Sequence, residues 1–559
     1  MSIDRREHQG QQRTGDQHAK SAPTPEPDRR PGVLFALITL AVLLPILLFP
    51  GHPARFTVAT FAQLPLEWPA IVLALLVAPR GDRVLLRALL VLLLGAVVLL
   101  RLADLGSYTA FDRPFSPLVE WHLLGDGWNL ASATVGTTEA AIMVALALLV
   151  LLALCFMLFK GLGAIARLQG PIRRGIGASA AVLMIAGVAL RLGAPLLEAD
   201  LPVRADLLPD LVDRSKAMSR SIADQNAFVE ELANDPLDAL PEPRFAALDG
   251  RDLIVMFVES YGRSFIDDED LGIVARNRLA AIGARTDEAG LHVKSAWVES
   301  PIRGGRSWLA HATFASGLTI DNQARFDRLI SSDRRSLYRL LGQAGWRTMG
   351  LNPAIVLPWP EGAWYGYDDD YDAHTLGYAG RKIGWVTMPD QYTISHFQRN
   401  LREPAEGPVA AELALISSHA PWTPISRIVP WEEIGDGAIF DGTHRFGGEP
   451  VWSDRQKVRE LFAQSLDYSL ETIGQYVARH GEGALLIVVG DHQPASIIAG
   501  WGRTADVPIH VFSDDAALLE RLPDDWWSEG MMPSPDKPSR PMASMRAFLA
   551  TALEAVAPN

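Results

Sequence analysis

Five long apolar runs crowd the first two hundred positions of this chain, and they constrain it more than any other feature. They cover roughly 32–50, 56–78, 84–102, 138–159 and 175–197, each near the ~20 residues that carry an α-helix across a bilayer. The second run is the weakest, because Pro65, Glu67 and Pro69 interrupt it. Five such runs in series argue against buried core helices of a soluble protein. A transport pathway is the stronger rival, but the runs hold few of the ionisable residues that transport sites need, so they read as an anchor. Arg5, Arg6, Arg13, Lys20, Arg29 and Arg30 precede the first run. Arg80, Arg83 and Arg87 lie at the second turn, and Lys160, Arg167, Arg173 and Arg174 at the fourth. The intervening loops hold little beyond Arg55, Arg101 and Arg113. By the positive-inside bias the N-terminus is cytoplasmic and everything after the fifth run is outside, which predicts a multi-pass protein of the cell (inner) membrane. The first run follows a long hydrophilic tail and has no obvious small-residue cleavage site, so it reads as an uncleaved anchor.

Four segments follow from this partition. Residues 1–31, rich in Arg, Gln, Asp and Pro, are predicted to be a disordered cytoplasmic tail. Residues 32–197 form the anchor of about five helices. Residues 198–250 are polar, helix-like from Ser215 to Ala233 and then punctuated by Pro236, Pro241 and Pro243, which reads as a juxtamembrane helix and linker. Residues 251–559 are long enough for one substantial extracytoplasmic domain. The net charge of −14 argues against a nucleic-acid partner. The single cysteine, Cys155, lies inside an apolar run, so an intramolecular disulfide or a thiolate zinc finger is ruled out.

Within the last segment short β-type runs recur at Leu253–Val258, Val293–Val298, Arg347–Leu351, Ala411–Ile416, Leu485–Val489 and Val507–Phe512. Helical periodicity lies between them, at Ser336–Ala344, Gln391–Leu401 and Asp454–Arg479. Such alternation predicts an α/β sandwich with a mostly parallel sheet and helices on both faces. Ligands of such sheets collect at the carboxyl ends of strands. Those ends carry Glu259-Ser260-Tyr261-Gly262, then Glu299 to Ser307 with Gly304-Gly305-Arg306, then Ser417-Ser418-His419-Ala420-Pro421, and finally Gly490-Asp491-His492-Gln493.

A carboxylate, an Asp and a His suit a divalent ion such as Zn2+ or Mn2+, and the oxygens also suit Mg2+. A serine hydroxyl beside such an ion becomes a nucleophile near neutral pH. The double glycine before Ser307, opening a helix over Trp308–Phe314, would set backbone donors beside an incoming phosphate. Each residue also has an ordinary reading. Asp491-His492 makes a turn and cap, Ser307 an N-cap with Ser300 the alternative nucleophile, and Arg306 and Arg303 surface cations rather than phosphate clamps. His311, one turn beyond Ser307, reads as a packed helix histidine, and His444 sits in a Gly- and Trp-rich insertion. The acidic clusters Asp267–Asp270 and Asp368–Asp370 lack calcium-loop spacing and read as solvated charge.

In series, Val-Glu-Ser-Tyr-Gly (258–262), Gly-Gly-Arg-Ser (304–307), Ser-Ser-His-Ala-Pro (417–421) and Gly-Asp-His-Gln (490–493) after five apolar runs resemble the sulfatase-like branch of the alkaline phosphatase superfamily. The resemblance is to membrane lipoteichoic-acid synthases and phosphoglycerol transferases, and more distantly to lipid A phosphoethanolamine transferases. It implies an α/β sandwich of alkaline phosphatase/sulfatase type. It further implies one divalent metal ion (Mn2+, Mg2+ or Zn2+) on Glu259, Ser307, Asp491 and His492, with Ser307 as the covalently phosphorylated nucleophile and His419 at the transferred group. The implied donor is a phospholipid and the implied acceptor an envelope glycan or lipid. Two departures stand out: serine replaces the usual threonine nucleophile, and the Trp-x-Arg element that contacts phosphoglycerol has its nearest match at Trp359-Pro360-Glu361. Ser300-Pro301-Ile302-Arg303 has its proline one position early for an arylsulfatase motif. The rival readings are a hydrolase of phosphate or sulfate esters using the same pocket, and a catalytically inactive membrane scaffold.

Overall fold

A computed structural model describes residues 30–554 apart from 118–119, 122–124, 126, 129–130, 133–134, 198–201, 240, 242–243, 383–385 and 443–453. The tail expected over 1–31 thus lies almost wholly outside the described residues, as does His444. The chain forms two compact units, one of Met1–Leu48, Gln63–Gly95 and Ala147–Arg204, the other of Phe49–Ala62, Ala96–Leu146 and Ala205–Asn559.

The apolar runs are helices α1 (Arg30–Leu48), α2 (Glu67–Val77), α3 (Arg83–Phe111), α4 (Thr137–Ala166) and α5 (Gly170–Leu197). Among the described residues three are long and apolar enough to cross a membrane, Arg83–Phe111, Thr137–Ala166 and Gly170–Gly193, while Gly32–Leu48 and Glu67–Val77 are shorter. On α4, Ile142, Met143, Leu146, Leu149, Leu152 and Phe156 are each more than half exposed, as expected of a helix whose solvent is lipid. The run over 56–78 is not one span, and this corrects the expectation. It divides into a helical turn at Val58–Phe61, a two-residue strand at Leu64–Pro65 paired with Val203–Arg204, and α2. Pro69 sits in the first turn of α2, where its missing N–H costs nothing but prevents extension backwards. The 11 residues of α2 rise only about 16 Å.

In the second unit α6 (Leu207–Ala233) precedes a sheet whose strands are β1 (Asp252–Val258), β2 (His292–Glu299), β3 (Arg347–Asn352), β4 (Asp369–Asp372), β5 (Val409–Leu415), β6 (Ala484–Gly490), β7 (Asp506–Ser513), β8 (Ser528–Glu529) and β9 (Arg540–Pro541). Their spatial order is β8-β2-β7-β6-β1-β5-β3-β4, with β9 beside β2. The six expected strands all form, within two residues of the expected ends. The sheet is mixed: β6, β1, β5, β3 and β4 are parallel neighbours, and β7 runs antiparallel to both β6 and β2. Because β7 reverses, β2 points the same way as β1, β5 and β6, so all four ligand-bearing ends meet one edge.

The strand period of two splits the central strands between two cores. Ile254, Met256 and Val258 of β1 and Leu486 and Val488 of β6 face one core, shared with α7 (Leu271–Glu288), α9 (Asp390–His396) and α10 (Arg455–His480). Leu253, Val255 and Phe257, with Leu485, Ile487 and Val489, face the other, shared with α8 (Ser307–Ser316) and α11 (Met545–Ala552). Each fully buried aliphatic or aromatic side chain there is worth about 1.5–3 kcal/mol. The linker before β1 is packed down: Asp235 accepts two hydrogen bonds from the buried Arg546 guanidinium at 2.9 and 2.7 Å. Burial would raise the Asp235 carboxyl, but Arg546 outweighs it and holds it below its ordinary value.

Candidate active site

Ser307 is the first residue of α8, reached through three consecutive left-handed backbone positions at Gly304, Gly305 and Arg306, with φ of 75°, 150° and 69°. Glycine adopts such angles freely and other residues do not. The turn directs the Ser307 hydroxyl away from its own helix. It donates to Glu259 Oε2 at 2.8 Å and lies 3.3 Å from His492 Nε2. It therefore faces the carboxylates and the imidazole and does not cap its own helix. Ser300, the alternative, is buried and donates to the Asp491 carbonyl at 2.6 Å, a structural bond.

Glu259 follows β1 and Asp491-His492 follow β6, and these strands are hydrogen-bonded neighbours. One ligand atom each from Glu259, Asp491 and His492 lie within 4.8 Å of one another, all three residues buried. His492 Nε2 is 3.5 Å from Glu259 Oε1 and 3.6 Å from Asp491 Oδ2. His492 Nδ1 lies 2.8 Å from the Gln493 carbonyl oxygen, which can only accept, so Nδ1 carries a proton and Nε2 is the nitrogen turned toward the carboxylates. Asp491 Oδ1 accepts from Ser260 N at 2.7 Å and His492 N at 2.6 Å. Ser260 Oγ donates to Glu259 Oε1 at 2.7 Å.

Burial alone would raise the Glu259 carboxyl, but the His492 and His419 imidazoles and the Ser260 and Ser307 hydroxyls hold it well below the usual carboxylate range. Burial and then the Glu259 charge push Asp491 up to about 6. His492 is lowered by burial but raised further by Asp491 and Glu259, for a net rise. Two buried carboxylates that disfavour each other's charge, converging with an imidazole nitrogen, form a donor set that fits a divalent cation. Glu259, Asp491 and His492 would hold it, with Ser307 beside them.

His419 is exposed at the rim, its Nδ1 2.7 Å from the Ala420 carbonyl. Ser418 Oγ ties this loop to the Glu259 carbonyl at 2.6 Å. Arg306 is brought next to Ser307 in the chain, but its guanidinium is buried against Glu120 at 3.1 Å. Trp359 lies between β3 and β4, its ring 5.5 Å from Tyr365 and packed on Gly362, with the aromatic group around Tyr365 and Tyr367. His311 is buried and its Nδ1 is 2.6 Å from Glu412 Oε1, as a packed helix histidine.

Three supporting residues are given no role by the sequence. Asp390 Oδ1 accepts from Ile416 N and Ser417 N at 2.8 and 2.9 Å, and its Oδ2 from Ser469 Oγ at 2.6 Å, fixing the root of the His419 loop. Gln493 Oε1 accepts from Ser264 Oγ at 2.6 Å while its Nε2 donates to the Asp506 carbonyl at 2.9 Å. His510 bridges the Tyr261 hydroxyl at 3.0 Å and Ser295 Oγ at 2.7 Å. Only Gln493, next to the Asp-His pair, could have been found from its neighbours.

No family model matches the chain, and no curated protein does. Solved structures do. The integral membrane lipooligosaccharide phosphoethanolamine transferase A (EptA) from Neisseria meningitidis aligns over 93% of this chain and 94% of its own, at 13% identity and a TM-score of 0.45. The lipoteichoic acid synthase LtaP from Listeria monocytogenes aligns over 56% and 73%, at 13% identity and a TM-score of 0.38. The zinc complex of the C-terminal periplasmic domain of EptC from Escherichia coli aligns over 55% and 81%, at 15% identity and a TM-score of 0.34.

Proposed function

We propose that this chain is a metal-dependent membrane transferase that moves a phosphoryl-linked group, phosphoglycerol or phosphoethanolamine, from a phospholipid head group to an envelope glycan or lipid through a covalent Ser307 intermediate. The observation that carries the reading is the Ser307 hydroxyl, bonded to Glu259 and facing His492 within a buried carboxylate–imidazole cluster. A divalent ion bound there supplies charge neutralisation and acidifies the serine. Glu259 is placed to take the Ser307 proton as Oγ attacks phosphorus and the diacylglycerol oxygen leaves. His419 at the rim is placed to protonate that leaving oxygen and then to deprotonate the acceptor hydroxyl that displaces Ser307. The opening turn of α8 offers backbone N–H donors to the phosphoryl oxygens. Trp359 is the substrate contact that the resemblance offers, whereas Arg306, expected at the substrate, has its guanidinium buried on Glu120. The apolar helices tether the chain to the membrane that contains lipid donors, with the N-terminus in the cytoplasm and the sheet domain outside.

The test is incubation of the detergent-solubilised protein with Mn2+ and head-group-labelled phospholipid. Diacylglycerol release and label on Ser307 are expected, with both abolished in Ser307→Ala. Full turnover in Ser307→Ala would sink the reading. Release of the head group to water without any transfer to added glycan or lipid would favour the hydrolase.

A further inference from the structure

The loop that presents Ser307 is gripped from two sides. On one side Gly304 N donates to the Gln493 carbonyl at 2.8 Å, joining it to the Asp491-His492 turn. On the other lie residues 109–117 and Glu120, which follow the third apolar run and belong to the same compact unit as the sheet. A Cβ on Gly304 would collide with the Ala110 carbonyl oxygen, and one on Gly305 would touch the Phe111 ring. The Arg306 guanidinium carbon stands 4.6 Å over that ring. Its Nη2 is 3.1 Å from Glu120 Oε1, with the two side chains 3% and 0% exposed. Arg113 Nη2 reaches the same oxygen at 2.6 Å, and Glu120 Oε2 accepts from Ser116 N at 2.7 Å. Ser496 Oγ donates to the Thr109 carbonyl at 3.3 Å.

Arginine is poorly suited to a left-handed backbone angle, and a buried guanidinium is stable only with its countercharge. Both demands are met together only while the side chain points at Glu120, and that direction fixes the residue immediately before Ser307. We infer that Glu120 is a positioning residue for the reaction: through its buried ion pair with Arg306 it holds the backbone that aims Ser307 at Glu259 and His492. Without the carboxylate the guanidinium loses its buried countercharge. It is relieved by swinging outward, which takes Ser307 off line. Arg306 then serves the nucleophile's geometry rather than the phosphate, and Glu120 acts through it.

The inference rests on Ser307 being the nucleophile. The experiment is a double-mutant cycle in the full-length solubilised protein with Mn2+ present, comparing wild type, E120Q, R306Q and the double variant. Each single change is expected to lower kcat about tenfold or more with KM within about twofold, the double variant to be no worse than the poorer single, and E120D to recover part of the loss. A multiplicative loss in the double variant, R306Q raising KM with kcat kept, or an E120Q with wild-type kcat would each overturn it. E120D keeps the charge but sets the carboxylate back by one methylene, and covers the case in which E120Q does not fold. A kcat several-fold lower at unchanged KM supports the inference, and a wild-type kcat overturns it. A wild type that turns nothing over defeats the Ser307 reading, whereas an active wild type with an unimpaired E120Q defeats this inference alone.

Discussion

At the scale of single residues, the centre is a compromise between burial and charge. Glu259 stays ionised because two imidazoles and two hydroxyls surround it, and Asp491, one strand away, is pushed up by that same charge. His510 shows burial without compensation: desolvation lowers it to about 3, and its partners are two hydroxyls. Its folded value lies below the unfolded value of about 6.5, so between these limits the unfolded chain binds the extra proton. Stability is therefore full above pH 6.5 and falls toward pH 3, with a slope approaching about 1.4 kcal/mol per pH unit from this residue. His510→Gln keeps a hydrogen-bonding side chain and should flatten that dependence; denaturant midpoints of the two proteins at pH 7 and pH 5 measure it. An identical pH response in both would remove His510 from the account.

At the scale of elements, the sheet supplies position and the loops supply reach. The His419 loop leaves β5 through Ile416 and Ser417, whose amides both end on Asp390. Asp390→Ala strands two buried N–H groups and the Ser469 hydroxyl, and should cost about 2–4 kcal/mol of stability, read as a lowered denaturant midpoint. A second element-scale effect concerns Gly304. A methyl group there meets the Ala110 carbonyl at a positive φ, so Gly304→Ala should cut kcat about tenfold or more while leaving Mn2+ affinity, measured by calorimetry, within about twofold. The packed linker offers a third. Asp235→Ala leaves the Arg546 guanidinium buried and unpaired, a change expected to cost about 3–5 kcal/mol and to appear as a lowered melting temperature.

At the scale of the whole molecule, three helices of membrane-crossing length and composition accompany a mixed α/β sheet domain with one carboxylate–imidazole cluster among the described residues. The protein should stay with the membrane pellet through an alkaline, high-salt wash and need detergent for release. Chelation should abolish turnover and lower the melting temperature, and Mn2+ at about a hundred times its Kd should restore about 2.7 kcal/mol. An unchanged melting curve on chelation and refilling would mean that no ion contributes to the fold. The sequence by itself determined the apolar helices, six strands and the strand ends that carry Glu259, Ser307, His419 and Asp491-His492, because hydrophobic period and run length are local properties. It also placed a proline-broken second run whose shortness the fold made plain. Only the tertiary structure decided that β1 and β6 are neighbours, that the reversal at β7 brings β2 to the same edge, and that Arg306 turns inward to Glu120. Those outcomes depend on strand order and on partners 186 to 232 positions apart in the chain, and no local pattern encodes which distant charge a buried one will meet.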